Sequence, residues 1–381
     1  MKQKKIQTLY LLMQVAIWGI YGVLFSYANR YLMVGAGLSD AAAGLLLAAA
    51  TGVSFLLQPL LTAVADRTRV SCRRIVLLSG CVMALSCLLL LLPMPSVVRV
   101  SLFILACVAL QILPSFSNAL AMGASADGAP LNFGLCRGSG SVAFGLFAQL
   151  GNLLISAFGL FTVPLCTLAL CLLLLLSAAF FPESRAETTR ESAPSSAGAF
   201  FRANPAFAAF LLGTVLLYVG HNVLSNCMYR IAILKGNEDA QGTALLIAAA
   251  VELPVMFSFS ALLRLARCER WLRLSAVFFT VRLALTLLLP GVTGLYAAQL
   301  AQMGGFALFA VSSVCYAAEH IEKRDVVKGQ TYLGASNTLG CVLAYALGGV
   351  LIGALGTAAM LAVCVALSAV GTVLVLCAVR R

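Results

Sequence analysis

Three ionisable side chains stand deep within long apolar stretches of this 381-residue sequence, at Arg137, Glu252 and Arg282. A charge at the centre of a helix in lipid costs roughly 2.5 to 3.5 kcal/mol, so each one needs a partner, a water-filled cavity or a chemical role. Glu252 is the only acid so placed, and a carboxyl group in an apolar shell can bind and release a proton near neutral pH. The alternative for Glu252 is a structural ion pair with an arginine.

Arg282 is the arginine that the spacing favours as this partner. It follows Glu252 by thirty residues, so two antiparallel helices joined by one turn would bring the two side chains to similar depth. Such a pair would release its arginine whenever the glutamate is protonated. His221 is a second candidate for proton exchange, although a lone buried histidine is more often a packing residue.

Amide side chains recur in the same apolar stretches. Uncharged donors and acceptors suit a solute rich in hydroxyl groups. Interhelical hydrogen bonds, worth roughly 0.6 kcal/mol on average, are the alternative use. The residues concerned are Asn29, Asn118, Asn222, Asn226, Asn337 and Gln302.

The elements that must position these residues are membrane helices. The chain is 62% apolar and only 10% charged, which is more hydrophobic matter than a globular core of this length can use. Uncharged runs at residues 6–29, 41–65, 75–98 and 100–126 are each long enough to cross a bilayer. Three longer runs, 138–182, 283–318 and 329–379, each contain a Gly or Pro break. Folding them there predicts an all-α polytopic membrane protein with twelve transmembrane helices.

The basic residues predict the orientation of these helices. Of the 25 Lys and Arg residues, 19 fall in alternate connections and at the termini. Lys and Arg stay preferentially in the cytoplasm, so we expect a protein of the cell membrane with both termini cytoplasmic. The net charge of +12 then reflects topology and contact with anionic lipid, and no nucleic-acid partner is expected. The thirteen cysteines show no C-x-x-C pair, so we expect neither a metal nor another cofactor.

The only long polar stretch divides the chain into two similar parts. We predict an N-terminal six-helix bundle over residues 1–181, a cytoplasmic linker over 182–204, and a C-terminal six-helix bundle over 205–381. Residues 26–31 recur in outline at 226–231, about 200 residues later. This repeat is typical of the paired bundles of secondary transporters.

The stretch from Gln58 to Arg74 joins an apolar run, an acid and a group of arginines before the next apolar run begins. It resembles the signature between the second and third helices of the major facilitator superfamily. The resemblance implies a conformational gate formed by Asp66, Arg67, Arg73 and Arg74.

Residues 132–141 resemble the fifth helix of the lactose permease group, which includes oligosaccharide:proton symporters and nucleoside carriers. The resemblance implies that Arg137 binds substrate and that Phe144 offers a ring for stacking. Glu252 and Arg282 match positions that this group uses in proton coupling. Gln302 stands where the group has a proton-carrying histidine, and Asn118 stands where it has an acid facing the sugar.

The resemblance implies a monomeric secondary active transporter. It would move a small polar solute, a sugar or a nucleoside, together with protons by alternating access. Substrate contacts would come from Arg137, Phe144, Asn118, Asn29, Asn222 and Gln302, and proton coupling from Glu252, Arg282 and His221. Two alternatives remain open: an exporter of drugs or metabolites with the same fold, and a membrane receptor or scaffold that no longer transports. No enzymatic chemistry is expected, because the sequence shows no nucleotide-binding loop and no nucleophile with its base.

Overall fold

The structure, a computed structural model, describes residues 2–68, 70–126, 131–183, 196–322 and 325–379. Within these residues twelve helical segments are long and apolar enough to cross a membrane, which confirms the predicted all-α fold with twelve spans. We number them spans 1 to 12 in chain order: Lys4–Gly35, Asp40–Val64, Cys72–Leu90, Ser96–Ser125, Gly138–Phe158, Thr162–Phe180, Pro205–Asn226, Ala240–Phe259, Cys268–Leu288, Gly291–His320, Val326–Leu355 and Thr357–Ala378.

The chain forms two compact units. The first comprises Met1–Thr188 with Gln241–Leu246, and the second comprises Thr189–Ala240 with Ile247–Arg381. The boundary predicted at residues 182–204 stays a prediction, because residues 184–195 lie outside the described part of the chain.

The α-helices extend beyond the apolar spans at several ends. Those of spans 1 to 6 are Lys2–Ile20, Ala28–Arg30, Asp40–Thr68, Cys72–Leu90, Ser96–Ala126, Phe133–Phe158 and Thr162–Phe180. Those from span 7 onward, with a short helix before it, are Ala197–Ala203, Pro205–Asn226, Met228–Leu234, Ala240–Leu265, Cys268–Leu288, Gly291–Gln299, Leu308–His320, Val326–Leu355 and Thr357–Ala378.

The same packing pattern occurs in each unit. In the first unit span 1 packs against spans 5 and 6, and span 3 packs against spans 4 and 6. In the second unit span 7 packs against spans 11 and 12, and span 9 packs against spans 10 and 12. Each contact recurs six spans later, so the two units are structural repeats of one six-helix arrangement.

The three long apolar runs break where Gly or Pro predicts a break. Gly159 and Gly356 have φ angles of 92° and 85°, a backbone conformation that glycine adopts without a steric penalty and that ends a helix. Between spans 9 and 10, Pro290 precedes the first residue of the new helix, Gly291. Local chain chemistry therefore sets the ends of these helices.

Two spans depart from regular α-helix. Span 1 contains π-helical segments at Tyr21–Phe25 and Tyr31–Gly35. Span 10 contains a 3₁₀ turn at Leu300–Gln302 followed directly by a π-helical segment at Met303–Ala307. Such segments are rare and occur frequently at functional sites.

Candidate functional site

A hydrogen-bonded chain of buried polar side chains crosses the second unit. Arg282 of span 9 donates through Nη1 to Oε1 of Gln302 and through Nη2 to Oε1 of Gln299 at 2.5 Å. Gln302 in turn donates through Nε2 to Oε1 of Glu252 at 2.7 Å. Relative exposures are 3% for Arg282, 0% for Gln299, 3% for Gln302 and 9% for Glu252. Three spans, 8, 9 and 10, thus contribute to one buried network.

Gln302 is the link between the two charged residues. A guanidinium group can only donate hydrogen bonds and a carboxylate can only accept them, so the amide oxygen faces Arg282 and the amide nitrogen faces Glu252. The sequence predicted that Glu252 and Arg282 lie at similar depth, and the structure joins them through this neutral amide.

Span 10 carries two of the four members, at the point where its α-helix gives way to a 3₁₀ turn. Gln299 and Gln302 are three residues apart and lie at the end of the helix Gly291–Gln299 and in the following 3₁₀ turn. Residues three apart share one helix face, and both amides therefore reach the same guanidinium group. The Nε of Arg282 is also buried and has no hydrogen-bond partner among the described residues, which leaves one donor of this side chain unused.

His221 of span 7 lies beside the network. Its Nδ1 is 3.4 Å from Nη1 of Arg282, and its ring stacks on Phe306 with the centroids 4.5 Å apart and the planes at 6°. Because the guanidinium only donates, Nδ1 acts as an acceptor in this arrangement and carries no proton. The histidine thus has both a packing contact and a polar contact.

A second polar cluster lies in the first unit, on span 1 and span 4. Tyr10 donates through its hydroxyl to Oδ1 of Asn118 at 3.0 Å, and Gln14 donates to the Tyr10 hydroxyl at 2.9 Å. The Nε1 of Trp18 donates to Oε1 of Gln14 at 3.0 Å. Tyr10, Gln14 and Trp18 are four residues apart in turn and share one helix face. Asn118, predicted as a substrate contact, is held by this cluster.

Aromatic rings continue the same face of span 1. Trp18 and Tyr21 are stacked at 5.1 Å between centroids, and Tyr21 meets Phe25 edge to face at 5.3 Å. All three rings are partly exposed. Trp18 lies against Gly140 of span 5, where an added Cβ would come within 2.4 Å of Cδ1 of the indole. We call these three residues the aromatic ladder.

The other predicted substrate contacts lie on spans 1 and 7 and on the helix of span 5. Asn222 donates to Oδ1 of Asn337 at 3.1 Å, linking spans 7 and 11. Asn29 is buried at 8% exposure in span 1, and Phe144 of span 5 is half-buried. Arg137 lies on the helix Phe133–Phe158, but its side chain is outside the part of the structure that is described.

Two of the four predicted gate residues lie beside an acid at the end of span 6. Arg73 donates to the carbonyl of Phe181 at 3.0 Å, and its guanidinium is 3.9 Å from Glu183. Arg74 lies 3.8 Å from the same carboxylate. Asp66 and Arg67 belong to the helix of span 2, and their side chains are outside the described residues.

Sequence reasoning missed Gln299, Tyr10, Gln14 and Trp18. A tyrosine, a glutamine and a tryptophan at four-residue intervals in one apolar span were a readable signal, since polar groups at that spacing lie on one face. Gln299 and Gln302 gave a similar signal at three-residue spacing. Buried charge, single amide residues and family resemblance are the criteria for the predicted site, and none of them detects such a periodicity.

Comparisons with known proteins agree on the fold. The model of the MFS_1 like family matches residues 5–363, while no curated protein sequence matches significantly. The crystal structure of nucleoside transporter NupG is similar with a TM-score of 0.81 at 14% identity, covering 99% of both chains. A bacterial homolog of the human lysosomal transporter Spinster, inward-facing and unoccupied, gives 0.71 at 15% identity, covering 99% of this chain and 97% of that one. The human organic anion transporter MFSD10 gives 0.66 at 15% identity, covering 98% and 99%.

Proposed function

The chain belongs to the MFS_1 like family of major facilitator superfamily transporters, and on that premise we propose that it moves a nucleoside or a sugar across the cell membrane in symport with protons. The resemblance to this superfamily that the sequence carries is thereby confirmed. Transport by alternating access, a monomeric state and cytoplasmic termini complete the proposal. No enzymatic step forms part of it.

The buried network of Glu252, Gln302, Arg282 and Gln299 is the observation that carries the proposal. A carboxylate this deep in a span is costly unless it is paired, and the amide of Gln302 ties Glu252 to the cation of Arg282. Protonation of Glu252 would remove the negative charge that balances Arg282. The guanidinium, which already has an unused Nε donor among the described residues, would then be free to bind a solute oxygen.

The first unit supports a solute with both a flat face and polar edges. The aromatic ladder offers partly exposed rings, and stacking of a nucleobase on an aromatic side chain contributes about 1 to 3 kcal/mol. Sugars also stack their apolar faces on such rings, while the amides of Gln14 and Asn118 provide donors and acceptors nearby. The likeness to NupG is one of fold and leaves the choice between nucleoside and sugar to experiment.

Uptake into proteoliposomes tests this proposal. Purified protein would be given labelled nucleosides and sugars with and without an inward proton gradient. We expect at least one of these solutes to accumulate above its external concentration only when the gradient is present. Equilibration without accumulation would contradict proton coupling. Active extrusion of apolar compounds alone would identify an exporter, and the absence of any flux would identify a receptor or scaffold.

The variant Glu252→Gln tests whether Glu252 couples solute transport to proton movement. It keeps the shape of the side chain and removes its proton exchange, so we expect gradient-driven accumulation to be abolished while exchange of labelled for unlabelled solute continues. Glu238→Gln is the matched control, because Glu238 is an exposed acid outside the spans that accepts a hydrogen bond from Tyr229. Unchanged accumulation in Glu252→Gln would remove Glu252 from the mechanism.

A further inference from the structure

Two cysteines and three other metal-binding side chains converge where span 9 begins and span 10 ends. The Sγ of Cys268 lies 3.3 Å from Oε2 of Glu319, and the Sγ of Cys315 lies 3.3 Å from Oε1 of the same carboxylate. Glu269 places Oε2 at 3.7 Å from the Sγ of Cys268 and Oε1 at 3.3 Å from Nε2 of His320. Ligand atoms of Cys268, Cys315 and Glu319 all lie within 4.8 Å of one another, as do those of Glu269, Glu319 and His320.

The individual sulfur–oxygen separations are close to the sulfur–oxygen edge length of a tetrahedral zinc site. With Zn–S bonds of about 2.3 Å and Zn–O bonds of about 2.0 Å, tetrahedral angles place a sulfur and an oxygen ligand about 3.5 Å apart. The three observed S···O distances, 3.3, 3.3 and 3.7 Å, bracket that value. Two thiols with carboxylate and imidazole neighbours favour zinc over magnesium or calcium, which prefer oxygen ligands alone.

The local structure presents the ligands on adjoining elements. Cys268 is the first residue of its helix, and Cys315 and Glu319 are four residues apart on one face of the helix Leu308–His320. Cys268 is 1% exposed, whereas Glu319 and His320 are exposed. An ion can therefore enter from solvent and bind a sulfur that is shielded from it.

We propose that Cys268, Cys315 and Glu319 bind one Zn²⁺ ion, with the fourth coordination position facing Glu269 and His320. Binding displaces one proton from each thiol to solvent and forms two zinc–thiolate bonds, so no oxidant or reductant is needed. The charge distribution assigns this end of spans 9 and 10 to the cytoplasm, where thiols stay reduced. The ion would tie the start of span 9 to the last turn of span 10.

Cobalt is the probe that reports thiolate ligands directly. We expect the full-length protein, purified in detergent, to bind one equivalent of Co²⁺ with a near-ultraviolet thiolate-to-cobalt band, and we expect Zn²⁺ to displace it. The double variant Cys268→Ser, Cys315→Ser should lose the band and weaken Zn²⁺ binding by about 100-fold or more. A second variant, Glu319→Gln, keeps both thiols and should weaken binding without a loss of folded protein.

The control is a double variant at two exposed cysteines elsewhere, Cys81→Ser and Cys377→Ser, which should keep the band. The proposal fails if the unmodified protein shows no thiolate band. It also fails if the band survives in the Cys268→Ser, Cys315→Ser protein. Neither readout depends on transport, so this outcome is independent of the proposed symport.

Discussion

The side chain of Gln302 hydrogen-bonds to two opposite charges in the membrane interior, those of Glu252 and Arg282. Its amide satisfies an acceptor-only carboxylate at one end and a donor-only guanidinium at the other. A direct ion pair would bind Glu252 and Arg282 more tightly, because opposite charges attract strongly where the dielectric constant is low. A bridging amide keeps the two groups associated and leaves each easier to release, which suits the gain and loss of a proton that we propose for Glu252.

Trp18 is the residue through which solute binding can be observed directly. The chain has only two tryptophans, and the other, Trp271, donates to the carbonyl of Leu262 at the turn between spans 8 and 9. In a Trp271→Phe protein all indole fluorescence comes from Trp18. We expect a transported solute to change this fluorescence with saturation, at concentrations that match its transport.

Removing the ring should weaken that binding. Trp18→Leu loses the stacking contribution of about 1 to 3 kcal/mol, so the dissociation constant should rise by about 5- to 150-fold. Binding of the Trp18→Leu protein would be measured by equilibrium dialysis of the labelled solute. The reciprocal protein Trp18→Phe, which keeps Trp271, should show no solute-dependent fluorescence. An unchanged affinity in Trp18→Leu would exclude the aromatic ladder from the binding site.

The sequence singles out charged residues in the spans more readily than neutral ones. The cost of a charge in lipid singles out Glu252 and Arg282, and both lie in one network. A glutamine or tryptophan carries a much smaller cost, so nothing in the composition separates Gln299 or Trp18 from ordinary packing residues. Their places in the two polar clusters follow only from the neighbours that the fold provides.

Among the elements, the spans and their breaks were predictable and the irregular helical segments were not. Apolar length gives the spans, and Gly159, Pro290 and Gly356 mark the breaks. No feature of the composition marks the π-helical segments of spans 1 and 10, which are a rare form of helix. The sequence also gives no reason to group the cysteines of the proposed zinc site, since Cys268 and Cys315 are 47 residues apart and approach only through the antiparallel packing of spans 9 and 10.

Spans 7 and 12 cross where Gly213 meets Gly371. Replacing a glycine by alanine should therefore destabilise the protein at Gly371 but not at Gly334, a glycine with open space around it. A Cβ on Gly371 would lie 2.8 Å from the carbonyl oxygen of Gly213, whereas a Cβ on Gly334 of span 11 would meet nothing within 4 Å. Gly371→Ala should destabilise the protein by about 1 to 3 kcal/mol, because backbone must move. Gly334→Ala should be neutral or stabilising, since alanine favours helix by up to about 1 kcal/mol. Thermal unfolding in detergent, followed by circular dichroism, measures both; equal melting temperatures would contradict the close crossing.

For the molecule as a whole, the internal repeat is the feature that sequence and structure both show. The short echo of residues 26–31 at 226–231 is weak, yet the contacts of span 1 with spans 5 and 6 and of span 3 with spans 4 and 6 all have counterparts six spans later. Packing geometry thus preserves the repeat where residue identity has changed. The reason is physical, because many apolar sequences satisfy the same helix contacts.

Two basic residues lie in or beside loops that are predicted to face away from the cytoplasm, and each one donates hydrogen bonds to carbonyls at the end of a helix. Lys235, between spans 7 and 8, donates to the carbonyls of Leu287 at 3.2 Å and Leu289 at 2.6 Å, where span 9 ends. Burial lowers the pKa of Lys235. Arg99 donates in the same way to the carbonyl of Gly35 at the end of span 1. A cation at a helix C-terminus interacts favourably with the helix dipole, so Lys235 and Arg99 stabilise helix ends. Their positions have this local explanation, and the prediction of orientation therefore rests on the basic residues of the other loops.

Reporter fusions test the orientation that follows. With 19 of 25 basic residues in alternate connections and at the termini, we expect cytoplasmic termini and a turn between spans 7 and 8 that faces outward. Green fluorescent protein fused after Arg381 should therefore fluoresce, and alkaline phosphatase fused there should be inactive. Phosphatase fused after Asn237 should be active, because only the outer side permits its disulfides to form. The reverse pattern at both sites would overturn the assignment and would place the proposed zinc site on the oxidising side of the membrane.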